Sequence, residues 1–292
     1  MFIRGPSFLP DLSLILVTAI WGSTFLIVQN SLGQLSPLAF LACRFTVASF
    51  ILLLLNRRHL TRAAIFPGIV TGIFLFGGYA FQTVGLQFTT ASKSAFLTSL
   101  SVPMVPFAAA LVYRKAPRSF EILGLVFATL GMLLLTVPGS VGEIGQGDLL
   151  SVLCAISFTA QVVAVSHYAG RGNFETFVAT QMVTVAALSL ATCRWAEPFV
   201  FHPGPSAWAA VLITGILATA LAFSVQAWAQ QYTSVNRAAI IYALEPVFAW
   251  LTSYIFVGEL VSVRSAAGAA LILFGIIIVE LKRNTGNQHQ VG

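Results

Sequence analysis

Residues 87–95 read QFTTASKSA, and residues 231–239 read QYTSVNRAA. The two stretches lie 144 residues apart, and the spacing holds well beyond them: Gln82 and Gln226, Leu100 and Leu244, Gly124 and Gly268, and Gly131 and Gly275 all share it. Lys93 falls on Arg237 in the same register. Earlier in each half the register is 137, which lays DLSLILVTAIW (11–21) on DLLSVLCAISF (148–158), so a loop difference of seven residues separates the two blocks. Apolar composition yields chance matches of Leu and Ala. It does not yield paired Gln, Thr and Lys/Arg matches in one register, so the chain reads as an internal repeat with halves 1–140 and 141–292.

The rest of the chain is strongly apolar. Of 292 residues, 58% are hydrophobic and 8% charged, with a mean hydropathy of +0.90. A soluble chain carries about 25% charged residues. So few charges cannot cover a water-facing surface, which excludes a disordered chain, a disulfide scaffold and almost any soluble enzyme. Ten apolar stretches are predicted to cross a membrane: 12–30, 36–55, 66–85, 91–112, 119–137, 147–168, 174–193, 206–229, 236–257 and 263–281. Each approaches the roughly 20 residues that a helix needs. No small-residue cleavage site follows the first run, so it reads as a retained span. Cys43, Cys154 and Cys193 show no metal-like spacing and read as packing residues.

Net charge is +6, but the basic residues sit in short loops between apolar runs, a pattern that implies no nucleic-acid partner. With the N-terminus inside, the cytoplasmic loops collect Arg4, Arg57, Arg58, Arg62, Arg114, Lys115, Arg118, Arg171, Arg237, Lys282 and Arg283. The outer loops receive Lys93, Arg194 and Arg264, and Arg44 lies within a span. The positive-inside rule therefore places both termini in the cytoplasm. Five spans per repeat is an odd number, so the second half enters the membrane from the opposite side. The expected fold is an all-α membrane protein with ten transmembrane helices in two inverted five-helix repeats, a design used for alternating access.

AIWGSTF on the first span, SPLAFLACRF on the second and LEPVFAWLTSYIFVGELVSVRSAAGAALILFGIIIV at the end resemble the drug/metabolite transporter superfamily, in its ten-span branch of paired EamA-type repeats. The resemblance covers roughly residues 10–283, and SLSVPMVP at 99–106 is similar to the aromatic amino acid exporters of the YddG type. It implies export of aromatic and other neutral amino acids, or of related metabolites, across the inner membrane, without a cofactor. A multidrug or other-metabolite carrier is the alternative. Two departures stand out. Where the second repeat has Gly258 and Glu259 the first has Arg114 and Lys115, and Pro103 is displaced by one residue from the register of Pro246. Both argue against a strictly symmetric mechanism.

Candidate site residues follow from polar groups at mid-depth, which are costly in hydrocarbon and usually face an interior. The candidates for substrate binding are Trp21, Ser23, Tyr79, Gln82, Thr98, Gln161, Gln226, Tyr242 and Glu245. Amides and hydroxyls would hold a zwitterion without strong net charge, and aromatic rings would bound its side chain. Glu245 is a partner for a substrate amine, a proton-linked carboxylate or a structural partner of Arg44, and protons are a candidate coupling ion. The gating or structural set is Arg44, Lys93, Arg237, Pro103, Pro106 and Pro246. Lys93 and Arg237 sit at helix ends and read as snorkelling anchors, and the prolines read as mid-span kinks. No HExxH, paired aspartates or Walker loop is present, so no enzyme or ATP-driven pump is expected.

Overall fold

Long apolar runs satisfy their backbone internally and resolve as helices. The computed structural model describes residues 8–57, 61–89, 94, 97–136, 145–170, 172–258 and 262–288. Its helices are α1 (Phe8–Ser31), α2 (Pro37–Asn56), α3 (Ile65–Gly85), α4 (Ser101–Tyr113), α5 (Ser119–Thr136) and α6 (Gln146–Tyr168). They continue with α7 (Phe174–Thr192), α8 (Pro205–Gly215), α9 (Ala222–Ala229), α10 (Val235–Tyr242), α11 (Glu245–Val257) and α12 (Val263–Gln288). A π-helical turn, Ile216–Leu221, joins α8 to α9 in one rod.

Seven helical segments are long and apolar enough to cross a membrane, so this is an all-α, multi-pass membrane protein. Three further apolar helices, Leu97–Tyr113, Ser119–Leu134 and Val263–Val279, are shorter than the ten-span pattern predicts. Part of the predicted stretch 91–112 lies outside the described residues. The other two have their apolar windows cut by Arg118 and by the polar run from Glu280 onward. Large side chains such as Phe66, Phe107, Leu111 and Phe256 point outward, as a lipid-facing surface requires.

The repeat register reappears as hydrogen bonds. The fourth rod, Leu97–Tyr113, breaks at Leu100, whose N–H donates to Leu97 O at 3.2 Å; the rod Val235–Phe256, made of α10 and α11, breaks at Ala243 and Leu244, and Leu244 N–H donates to Ile241 O at 3.0 Å. Helix resumes with Met104 N–H to Leu100 O at 3.2 Å and Phe248 N–H to Leu244 O at 3.0 Å. Every one of these atoms is matched at the 144 spacing. Pro103 and Pro246 therefore do not kink a rod midway, as the sequence suggests. Each lies in the first turn of a resumed helix, where an absent N–H costs nothing, so their one-residue offset is harmless. Pro106 alone lies inside its helix.

Both resumed helices also end alike. Arg114 has φ 54° and Gly258 has φ 74°, so left-handed residues occupy matched ends despite the change in residue type. Arg114 is the one non-glycine with positive φ among the described residues. A Cβ in that conformation costs about 1 kcal/mol. Arg114→Gly is accordingly expected to stabilise the protein by about 1 kcal/mol, read as a raised melting temperature in detergent.

Helices α5 and α12 cross in close antiparallel contact. A Cβ on Gly124 would stand 2.7 Å from Gly275 O, and one on Gly131 would stand 2.5 Å from Gly268 O. Because Gly124 matches Gly268 and Gly131 matches Gly275, the contacts exchange partners as a two-fold axis demands.

The loops before α2 and α8 are strapped together. Leu35 bridges Phe201, Ser36 N–H donates to Val200 O at 2.9 Å, and His202 N–H donates to Gln34 O at 3.0 Å. Glu197 Oε1 accepts the Leu38 N–H at 2.8 Å, satisfying one of the free donors of the α2 N-terminus. Burial raises the Glu197 carboxyl above the ordinary carboxylate range, and its hydrogen bonds only partly oppose that shift.

Buried side chains separate into two packed bodies and a seam. One body gathers α2, α3, α7 and α8–α9 with part of α6 around Phe40, Phe45, Leu75 and Met182. The other gathers α4, α5, α10, α11 and α12 around Met132, Ile240, Leu244 and Ile272. Leu14, Val162 and Tyr242 fill the seam, where α1, α4, α6, α9 and α10 meet.

Candidate functional site

Polar and aromatic groups from both bodies converge at the seam. Arg44 on α2 is buried, and its guanidinium is held on three sides: Nε donates to Thr219 Oγ1 at 2.6 Å, and Nη2 donates to Ala218 O at 3.2 Å and to Tyr79 Oη at 3.3 Å. The cation also stands 5.0 Å from the Tyr79 ring centre and 5.5 Å from that of Phe45, within cation–π range. Ala218 and Thr219 belong to the π-helical turn, a slip in backbone pairing of the kind often found at functional sites. That turn presents the Ala218 carbonyl to two side chains, since Trp21 Nε1 also donates to it at 2.9 Å. Of the roles the sequence offers Glu245, that of a structural partner of Arg44 is not seen: the Arg44 bonds run to the π turn and to Tyr79.

The aromatic wall follows the repeat. Trp21 packs on Phe223 at 5.3 Å, and Phe158 packs on Tyr79 at 5.4 Å. In the sequence registers Trp21 matches Phe158, and Tyr79 matches Phe223, so the two pairs are exchanged images of each other. Tyr79 and Phe223 meet at 6.5 Å, and Trp21 also contacts Tyr242 at 5.7 Å.

Uncharged hydrogen-bonding groups line the other side. Gln161 Nε2 donates to Gln226 Oε1 at 3.3 Å, both residues being buried. The buried Tyr242 hydroxyl lies against the side chain of Gln226. Thr98 Oγ1 donates to Cys154 Sγ at 3.6 Å. Glu245 opens α11 directly after the break, within electrostatic reach of Tyr79 and Cys154, and its carboxylate has no hydrogen bond or ion pair among the described residues. A half-buried acid without a hydrogen bond or ion pair among the described residues thus stands in one cluster with a buried hydroxyl, an amide pair and a fixed cation. That arrangement can hold a small molecule carrying both signs of charge.

The remaining candidates separate from this cluster. Ser23 is exposed and accepts from Thr252 Oγ1 at 3.3 Å, because two residues along a helix from Trp21 is the opposite face. Gln82 sits one turn beyond Tyr79, half-buried, with no side-chain hydrogen bond among the described residues. Lys93 lies outside the described residues. Arg237 does not snorkel: it is buried, and its Nη2 reaches Asp11 Oδ2 at 2.5 Å. A carboxylate on the first span gives the cation an inward partner that charge counting along loops does not reveal. Sequence reasoning also overlooks Phe158 and Phe223, although each falls on an aromatic residue in its repeat register.

A separate apolar groove of about 410 Å³ lies between α4 and α6, lined by Met104, Phe107, Leu111 and Ile156. No three His, Cys, Asp or Glu side chains group as metal ligands among the described residues.

Known proteins resemble this chain in sequence, and one in fold. An uncharacterized transporter of Archaeoglobus fulgidus is 36% identical over 278 residues, spanning 93% of this chain and 86% of the relative. The uncharacterized transporter YyaM of Bacillus subtilis is 22% identical over 271 residues, 88% of each chain. A crystal structure with 23% identity superposes with a TM-score of 0.81 over 96% of this chain and 99% of the other, which is a likeness of fold. The EamA-like transporter family matches residues 8–137 and, a second time, residues 145–281. Two matches in tandem, together covering most of the chain, identify it as a member of the EamA-like transporter family, a secondary transporter and not an enzyme.

Proposed function

We propose that the protein exports amino acids, aromatic and other neutral ones, from the cytoplasm by alternating access between two inverted five-span repeats. Repeat boundaries near 140, ten crossings of the inner membrane and cytoplasmic termini are parts of the same reading. The matched breaks at Leu100 and Leu244 and the exchanged glycine contacts of α5 and α12 support the inverted pairing. The distribution of Lys and Arg supports the orientation.

One observation carries the substrate class. Within a single aromatic-walled cluster, the Glu245 carboxylate has no hydrogen bond or ion pair among the described residues, while Arg44 and the Gln161–Gln226 amides supply the opposite polarity. A zwitterion with an apolar or aromatic side chain matches that lining. A nucleotide sugar would call for several cations, and a polyamine for several acids.

Purified protein in liposomes should exchange labelled phenylalanine, tryptophan or another neutral amino acid at least about tenfold faster than empty liposomes, the margin of a 1.4 kcal/mol preference. A panel in which only a polyamine or nucleotide sugar moves, or in which no amino acid moves with or without a pH gradient, defeats the reading.

A further inference from the structure

Two carboxylates outside the central cluster are related by the repeat. Asp11 matches Asp148 in the 137 register, and Thr89 matches Thr233 in the 144 register. The structure joins them crosswise. Thr233 Oγ1 donates to Asp11 Oδ1 at 2.7 Å, and Thr89 Oγ1 donates to Asp148 Oδ1 at 2.8 Å. Each clasp thus ties the opening helix of one half to the other half.

Their position follows from tracing the chain. The strap joins the ends of α2 and α8. Helix α2 leaves that end and α3 returns to it, so Thr89 and Asp148 lie at the strap end. The α8–α9 rod leaves the strap end, so Thr233 and Asp11 lie at the other. Both threonines also stand where the chain passes from one packed body to the other, between α3 and the fourth rod and between α9 and α10. A rotation of one body against the other acts on both of these linkers. Just beyond each linker lies a break, at Leu100 and at Leu244, where the rod is already discontinuous.

We propose that the Asp11–Thr233 and Asp148–Thr89 clasps are the paired gates of the transport cycle, one at each face, and that the breaks at Leu100 and Leu244 are the hinges that move when a clasp opens. The inference rests on the alternating-access reading above. Both clasps are made in this conformation. Opening one while the other holds exposes the cluster to one face only. The Asp11 clasp is reinforced by Arg237, which reaches the second oxygen of the same carboxylate from α10, beyond the linker. The Asp148 clasp is reinforced by the Gly145 N–H at 2.8 Å, and by a Ser151–Ser94 hydrogen bond of 3.0 Å beside it. Breaking either clasp therefore shifts the population toward the state open on its own face.

The native thiol of Cys154, buried next to Thr98 in the central cluster, reports which face is open. In a Cys43→Ser, Cys193→Ser background, a membrane-impermeant maleimide is applied to right-side-out and to inside-out vesicles. Asp11→Ala is expected to raise Cys154 labelling roughly tenfold from one face only, and Asp148→Ala from the opposite face only, as a shift of a minor conformer would give. Thr233→Val and Thr89→Val keep both carboxylates and should move labelling in the same directions by less, which covers the case of an aspartate variant that does not fold. Labelling of both variants from the same face, or unchanged labelling of correctly inserted threonine variants, overturns the proposal. The readout needs no substrate. Failure of every amino acid to move, with labelling as expected, would remove the substrate reading and leave the gates. Amino acid exchange by all four variants at the wild-type rate, with labelling unmoved, would do the reverse.

Discussion

Arg44→Ala is expected to destabilise the protein by about 3 kcal/mol, the scale of losing a charged hydrogen-bonded group and leaving a void in a packed interior. The guanidinium joins α2, α3 and the π-helical turn at once, through Tyr79, Thr219 and the Ala218 carbonyl. Removing it strips the Tyr79 hydroxyl of its cationic partner and withdraws one of the two donors that hold the Ala218 carbonyl. Trp21 remains as the other donor, so the carbonyl itself is not orphaned. The larger consequence falls on transport. With nothing to hold the π turn against α3, the aromatic pairs Trp21–Phe223 and Tyr79–Phe158 lose their common support. Exchange in liposomes should fall by about a hundredfold, the equivalent of about 2.7 kcal/mol. Arg44→Lys separates charge from shape. A lysine keeps the cation but lacks the planar fork that serves three acceptors, so it should melt between wild type and the alanine variant. If Arg44→Ala melts with the wild type, the clamp has been misassigned.

How much of this was legible in the sequence depends on whether the information was periodic. The registers of 144 and 137 already relate Leu100 to Leu244 and Trp21 to Phe158, and the structure turns those relations into matched hydrogen bonds and exchanged ring contacts. The same registers relate Asp11 to Asp148 and Thr89 to Thr233. What they could not supply was that the first pair bonds crosswise to the second, because that depends on which rods become neighbours. Treating Arg237 as a snorkelling anchor failed for this reason: its partner lies 226 residues away. The π turn was illegible on other grounds. A one-residue slip in backbone pairing within ILATAL needs neither proline nor glycine and leaves no mark on hydropathy. The prolines misled in the opposite sense. Their presence signalled an interruption, but its position was set by the turns at Leu100 and Leu244, with Pro103 and Pro246 occupying first-turn sites that a helix tolerates.

Glu245→Gln should abolish the pH dependence of transport while leaving the protein in the membrane. The carboxylate opens α11 at the hinge, in the same cluster as Arg44, and it has no ion pair among the described residues. An acid in that position has two ways to lose its charge cost: binding a proton or binding the ammonium of a substrate. If both occur at one site they are mutually exclusive. A proton entering as the substrate leaves would then couple the two movements, and the rate of exchange would vary with pH. Glutamine preserves the size of the side chain and removes the titration. Wild-type exchange should change by about tenfold across the range in which the carboxyl titrates, the effect of a 1.4 kcal/mol difference between its two forms, and the variant should be flat. The direction of the residual effect identifies the role. A raised KM for amino acids with an intact ammonium, and an unchanged KM for analogues that lack it, assigns Glu245 to the substrate amine. An unaltered pH profile in the glutamine variant removes Glu245 from proton linkage altogether, and the hinge at Leu244 would then move without a titrating group at its centre.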